Sequence, residues 1–581
     1  MARRGGDIVE HLDAHAWIAS LDQGHFPDAG LTLSADGACA VLAGQPLLAP
    51  AGRDRAALFS AMADGNRAAL AHVRGQFAAL QWSARDRTLR LCADALATRP
   101  VHVAIGWSGA VFATTMRTLR ALATSVLRLD ARALADLIHF RYLLGVRTIH
   151  EGVRLVGPAE LLELRPDGQQ SLLYLDWAQI ESTAMDRDTA IDALHATFAE
   201  ALALRQPGAP TEASLSGGMD SRSVVAGLVD AGHRPRTWCL AFPGSADHQL
   251  SRMAAEAMGL EYHWLENSPA GRMRAYFFAL VPRLREHWAR TGQYALDAPV
   301  RLWTGFGGGR ALGNNRLDAP AVATGAQPPS QAQARTLFPA FGRRDTRLID
   351  RARYLRLRAL GFDNVAQEFA RCGRAPPDRR LWMFYLLNKD VRHTHGLTQE
   401  SDATGIELLL PIYDTALLRL IASLPIHWLT GHALYNDWIA RFRAPAAAVA
   451  WQSYPGHVPS PAPMPASVRL QWDRQWYASK DVRQVVAQAA AFALDRADPR
   501  LADWIEPWRA RLALASLRLG SQRREHDLAL LRMAHRMLTG EDAFEEPPRD
   551  QWIAPRVRQA LATPPEGAAR PAAQPPAAIA A

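Results

Sequence analysis

Residues 211–232 read TEASLSGGMDSRSVVAGLVDAG. The pattern predicts a short strand over Thr211–Leu215, a glycine turn over Ser216-Gly217-Gly218-Met219-Asp220-Ser221, and a helix over Arg222–Ala231 closed by Gly232. Glycines between a strand and a helix let backbone N–H groups converge on an anion with no Cβ in the way. The following helix aims the positive end of its dipole at the same spot. Ser216 and Ser221 add hydroxyl donors. Asp220 would repel a bare phosphate, so a carboxylate there makes sense if it holds Mg2+ that bridges to phosphates. The plain alternative is a glycine turn with a Ser/Asp helix cap. The G-x-x-x-x-G-K-[ST] phosphate loop is absent, which excludes that ATPase class.

Downstream, the same alternation repeats. Thr237–Phe242 reads as a second strand and Leu250–Met258 as a second helix closed by Gly259, so the pattern predicts a parallel α/β sheet. Residues 380–443 read as largely helical. Upstream, Asp188–Leu204 is an amphipathic helix, and a domain boundary is placed near residue 185. The chain before it is β-rich. Phe77–Trp82 and Thr88–Cys92 flank the polar turn Ser83–Arg87, and Val101–Ile105 and Ala110–Thr114 follow as short strands. Residues 130–145 carry helical spacing that ends at Gly145, and Leu161–Leu164 and Leu172–Leu175 flank Pro166-Asp167-Gly168 as a hairpin. The Pro/Ala-rich end of the chain reads as a disordered tail.

Composition bounds the rest. At about 100–200 residues per domain, 581 residues predict more than one domain, and 49% apolar with 21% charged residues excludes global disorder. A balance of 66 basic against 57 acidic side chains gives +9, too weak a field to imply nucleic acid. Lys389 and Lys480 are the only lysines, so chemistry that needs an ammonium has two candidates. Cys39, Cys92, Cys239 and Cys372 have no paired spacing, which argues against a disulfide framework or thiolate zinc site. Neither a secretory h-region nor an apolar run of about 20 residues is present, so the expectation is a soluble, cytoplasmic protein with no membrane partner.

The stretch SLSGGMDSRSVVAGL resembles the S-G-G-x-D-S pyrophosphate loop of asparagine-synthetase-type ATP pyrophosphatases. Val73–Leu119 is similar to that family's N-terminal amidotransferase-like domain. Ala241-Phe242-Pro243-Gly244 resembles the segment beside the adenine. Trp303-Thr304-Gly305-Phe306-Gly307 sits where the family has S-G-x-G, and Gly405–Asp414 (GIELLLPIYD) resembles its (V/I)-E-x-R-x-P-F-L-D stretch. Four further matches in order make the loop far more specific than it is alone. The resemblance implies an α/β chain in three parts. Residues 1–185 would form a β-rich, Ntn-type amidotransferase-like domain, and 186–550 a parallel α/β ATP-pyrophosphatase domain with added helices, before the tail at 551–581.

It also implies ATP and Mg2+, with Leu215, Ser216, Gly217, Gly218, Asp220, Ser221, Ala241, Phe242, Thr304 and Gly305 around the nucleotide and Asp220 on the metal. Glutamine-dependent members use a cysteine directly after the initiator methionine, whose α-amine serves as base. This sequence begins Met1-Ala2-Arg3, so no glutaminase activity is expected. Members without that cysteine include β-lactam synthetases and lasso-peptide macrolactam synthetases. The leading expectation is a lasso cyclase acting on a precursor peptide, with a leader peptidase and a leader-recognition protein as further partners. A small-molecule amide or β-lactam synthetase, an ammonia-using asparagine synthetase-like enzyme, and a non-catalytic peptide-binding relative are the alternatives.

Two departures stand out. Where the family carries an Asp after S-G-x-G, this chain has Gly309 and then Arg310, so either a metal ligand is missing or Arg310 neutralises phosphate directly. Where the family has R-x-K-x-G, this chain has Gln452-Ser453-Tyr454-Pro455-Gly456, and Arg441, Arg443 or Lys389 are the candidate substitutes. Aminolysis requires a neutral amine and hence a general base. The resemblance suggests Glu407 paired with a tyrosine, here Tyr385. His393 and His395 read as a surface pair.

Overall fold

The computed structural model describes residues 8–26, 30–33, 38–48, 52–106, 109–122, 127–206, 210–267, 276–295, 298–313, 316–338, 341, 347–468, 480–496, 498–521 and 524–540, and the expected tail at 551–581 lies outside them.

The first half is built on a six-stranded antiparallel sheet. Its order is Gly168–Leu173, Glu160–Arg165, Thr88–Ala93, Phe77–Ser83, Cys39–Gly44, Gly30–Leu33. Both expected hairpins form, with Ser83 opposite Thr88 and Arg165 opposite Gly168. Side chains alternate across the Phe77–Ser83 strand. Phe77 and Ala79 enter the large core, while Ala78, Leu80 and Trp82 enter a second cluster on the other face. Both faces are covered, so the strand reads as a nearly continuous apolar run. His102–Gly106 and Gly109–Ala113 pair in a smaller antiparallel sheet with Val153–Leu155.

The helix expected to run to Gly145 stops at Phe140, and Arg141 closes it in a left-handed conformation at φ 64. Tertiary bonds end it. Asp136, itself buried, accepts from Leu144 N–H and Arg147 at 2.9 Å, and Gly145 N–H donates to Asn388 at 2.6 Å. The chain is pulled back across the helix end before Gly145 can cap it.

The second half carries a five-stranded parallel sheet in the order Tyr262–Glu266, Arg236–Ala241, Glu212–Ser214, Val300–Trp303, Ile406–Leu409. Glu212–Ser214 comes first in sequence but lies in the middle. The next two strands are laid to one side of it and the last two to the other, so the direction of winding reverses between Glu212–Ser214 and Val300–Trp303. A crevice opens at such a switch point, beyond the carboxyl ends of the strands. The core is continuous between the halves, since Leu161 and Trp177 belong to the same cluster as Leu202, Trp238 and Trp451. Trp238, Trp288, Trp303, Trp438 and Trp451 are fully buried, so these tryptophans fill the interior rather than line a cleft. Among the described residues no helix is long and apolar enough to cross a membrane.

Candidate active site

The glycine turn leaves the middle strand at the switch point. The helix behind it begins earlier than the sequence predicts, at Met219, so Asp220 and Ser221 lie in its first turn. Gly218 is extended, at φ −92 and ψ −176, and caps the helix with no side-chain bond, leaving the first-turn N–H groups open. Ser216 N–H donates to Ser221 Oγ at 2.8 Å, and the two hydroxyls meet at 3.0 Å, which ties the turn to the helix.

The two glycines serve different purposes. A Cβ on Gly217 would stand 2.8 Å from Ala246 O, so this glycine permits close packing on the Ala246–Ala257 helix. A Cβ on Gly218 would meet only Ser216 Oγ at 3.7 Å, so the backbone there faces open space. Gly217 N–H donates to Asp247 Oδ1 at 2.9 Å, and Gly217 O accepts from Gln452 N–H at 3.2 Å.

The second turn, Thr304–Gly309, leaves the neighbouring strand. Thr304 N–H donates to Leu409 O at 3.2 Å. Gly305 lies flat on the first turn, where a Cβ would sit 2.1 Å from Asp220 C and 2.2 Å from Ser221 N. Asp220 therefore sits between the turns, half-buried, accepting from Gly309 N–H and Tyr435 O–H. Burial pushes its carboxyl up to about 6, against the pull of Gly309, Tyr435 and Arg310.

Arg310 stands 3.4 Å from Asp390 Oδ1 and lies over the Phe306 ring at 5.4 Å. Burial works against its charge, but Asp390, Tyr413 and Asp220 together hold it above the usual arginine value. Asp390 is pushed up to about 6 by burial, opposed by Arg310 and Lys389. Tyr385–Asp390 forms a π-helical turn, a distortion frequent at functional sites. Among the described residues Lys389, on that turn, makes no hydrogen bond or ion pair, and its Nζ lies 5.9 Å from the Tyr385 ring centre. Burial first, then Arg310, lowers its pKa to about 8.

The other two substitutes for the family lysine are elsewhere. Arg441 pairs with Asp188 and Asp192 on the surface. Arg443 binds Asp230 at the far end of the Met219–Asp230 helix, about 18 Å from Gly218 along its axis. Leu215 and Ala241 are buried, Phe242 half-buried, and Ala241 O already accepts from Trp264 Nε1 at 3.0 Å and Asn267 N–H at 3.1 Å.

Glu407 does not join this group. Its carboxylate is bonded to Arg99 of the first half, which also holds Asp402 at 3.0 Å, and it lines a cavity of about 1640 Å3 between the halves. Tyr385 hydrogen-bonds Arg316 instead, with burial raising its pKa to about 12, so the expected Glu407–Tyr385 pair does not form. The reason is topological. Glu407 is the second residue of its strand, away from the carboxyl end, and meets the first half there. His393 and His395 are not a surface pair. His395 is buried with Nε2 2.7 Å from Ala97 O, and burial pushes His393 down to about 3.

The residues present fit a triphosphate. They offer an open helix N-terminus, two hydroxyls, one guanidinium and one unpaired ammonium. For Mg2+ they offer the Asp220 carboxylate, and among the described residues no three His, Cys, Asp or Glu side chains gather as a metal site. Mg2+ commonly accepts one or two carboxylates and takes its other ligands from phosphate and water. Sequence reasoning missed Tyr435, Asp247, Asp390 and His432. Asp247 had a local signal, an acid in the first turn of a helix capped by Ser245. Tyr435 meets Ser223 across 212 residues of sequence and His432 meets Gly309 across 123, and nothing local marks either.

Residues 53–175 match the glutamine amidotransferase domain family, so the first half is amidotransferase-like. Asparagine synthetase [glutamine-hydrolyzing] 1 of Bacillus subtilis (strain 168) is 22% identical over 196 residues, 33% of this chain and 31% of that protein. The match thus spans under a third of the curated relative's length. A solved glutamine phosphoribosylpyrophosphate amidotransferase from B. subtilis is 12% identical, covering 50% of this chain and 60% of that one, with a TM-score of 0.19, too low to bear on the fold.

Proposed function

We propose that this protein is an ATP-dependent ligase that activates a carboxylate and forms an amide. One observation carries the reading. Two glycine turns meet at the switch point of a parallel sheet, with Gly305 packed on the backbone of Asp220 and Ser221. The similarity to asparagine synthetase supports it. In this reading a substrate carboxylate attacks the α-phosphate of ATP and pyrophosphate leaves. An amine then attacks the acyl-adenylate, losing a proton, and AMP leaves.

Gly218, the first-turn amides, Ser216 and Ser221 bind phosphate oxygens, and Arg310 neutralises the charge that builds on them. Lys389 takes the part of the missing family lysine, because it alone of the three candidates stands beside the Arg310–Asp390 pair. Leu215, Ala241 and Phe242 face the adenine, and Thr304 and Gly305 shape the floor. Mg2+, held by Asp220, supplies charge neutralisation at the phosphates. Glu407 is the general base of this reading only if it leaves Arg99 to meet an amine that enters from the cavity between the halves. No glutaminase step is expected. Cys39 and Cys92 are buried, and burial pushes the Cys39 thiol up to about 11 and Cys92 higher still, so neither supplies a thiolate.

Within this reading the amine is the N-terminus of a precursor peptide, and ring closure gives a lasso-type macrolactam. A leader peptidase and a leader-recognition protein would prepare that substrate. Most of the rate gain would come from holding both ends of the reaction together. Incubation with ATP, Mg2+ and the precursor peptide encoded beside the protein should release pyrophosphate and lower the peptide mass by one water. Pyrophosphate release without that mass change would favour a small-molecule ligase. No ATP uptake by calorimetry with Mg2+ present would favour a non-catalytic peptide-binding relative.

A further inference from the structure

We propose that His432, backed by His457, is a positioning residue that sets the Asp220 carboxylate through Gly309. The role of that carboxylate rests on the ligase reading above, while the contact network stands on its own.

His432 is 3% exposed, and its Nε2 stands 2.7 Å from Gly309 O. A carbonyl only accepts, so Nε2 carries the proton. Burial keeps the ring neutral, so Nδ1 holds a lone pair. His457 Nδ1 lies 3.1 Å from it and must be the donor. The tautomers are thereby fixed in series. His457 donates to His432, His432 donates to Gly309 O, and Gly309 N–H donates to Asp220.

Two features hold the imidazole in this one place. His432 is left-handed, at φ 60, a conformation that few non-glycine residues adopt. Gly313 makes room for the ring, since a Cβ there would stand 2.1 Å from His432 Cδ2. A Cβ on Gly309 would stand 3.3 Å from Asp220 Oδ2, so the peptide unit that His432 braces lies directly against that carboxylate. His457 lies on the segment whose Gln452 N–H is bonded to Gly217 O, so the pair also ties that segment to both turns.

The test compares His432→Asn and His432→Gln. Asn suits the left-handed backbone but places its amide nitrogen near the Nδ1 position, short of Gly309. Gln places it near Nε2 and can restore the bond. Calorimetry with ATP, in Mg2+ and in chelator, reads how far Mg2+ strengthens binding. The expected result is a loss of about 10- to 100-fold of that gain in His432→Asn, with affinity in chelator little changed and recovery in His432→Gln. His457→Leu, which cannot donate, should lower the gain in the same direction. Hydrogen exchange of the peptide covering residues 306–311 in nucleotide-free protein supplies a readout that does not depend on ATP. It should quicken in His432→Asn and return to normal in His432→Gln. Unchanged exchange in His432→Asn, or an undiminished gain from Mg2+, overturns the inference. Wild-type protein that ignores ATP but shows the exchange difference overturns the ligase reading alone.

Discussion

Asp220 is asked to be two things, a carboxylate held between two backbone turns and an acid of a phosphate site. Burial raises its pKa from 3.8 to about 6, so the folded protein holds that proton more tightly than the unfolded chain. The resulting penalty is absent below about pH 3.8 and fully present above about pH 6, so this group lowers stability as pH rises through that window. Asp220→Asn should therefore stabilise the nucleotide-free protein by about 1–3 kcal/mol at pH 8 and by much less near pH 4. It should also abolish Mg2+-dependent ATP binding. Urea denaturation at the two pH values checks the first part, and equal effects at both would show that burial of charge is not the cause.

At the scale of elements, the site depends on how closely the two turns and one strap approach each other. Gly305→Ala would force a Cβ into the backbone of Asp220, so we expect a loss of about 3 kcal/mol or more together with ATP binding. A variant that melts like wild type and still binds ATP would show that the turns can separate freely. The strap is Ala446–Gln452. Arg222, fully buried and with no acidic partner among the described residues, donates to the carbonyls of Ala446, Val449 and Ala450 and lies over the Trp451 ring at 5.5 Å. Arg222→Met leaves those carbonyls unmet, so about 3 kcal/mol should be lost in thermal or chemical denaturation. Weaker ATP binding should accompany it as Gln452 leaves Gly217. These contacts explain why helix and strand periodicity found the elements but misplaced their ends. The Met219–Asp230 helix starts where Gly218 and the neighbouring turn allow, and the Ala131–Phe140 helix stops where Asp136 captures the following chain.

At the scale of the molecule, buried ion pairs join the two halves. Asp414, fully buried, accepts from Arg74 at 2.7 Å and Arg205 at 3.0 Å, while Gln76 donates to Tyr413 O at 3.0 Å. Removing one partner of such a network strands the remaining charges. Asp414→Asn should cost about 3–5 kcal/mol in urea denaturation, and a change below about 1 kcal/mol would show that the halves do not rely on it. The cavity bordered by Arg99, Asp402 and Glu407 lies along this seam. A residue expected beside the nucleotide thus came to face the other half.

The sequence alone determined the parallel α/β alternation around the glycine turn, the antiparallel hairpins before it, and the residues of the turn itself. Each of these rests on neighbours a few positions apart, on periodicity, and on the conformations that glycine permits. Tertiary structure decided that Gly217 packs while Gly218 opens, that Lys389 rather than Arg441 or Arg443 stands beside Arg310, and that Glu407 meets Arg99. It also brought Tyr435 and His432 to Asp220. Strand order and side-chain burial set these outcomes, and both depend on contacts between residues hundreds of positions apart, which local patterns do not encode.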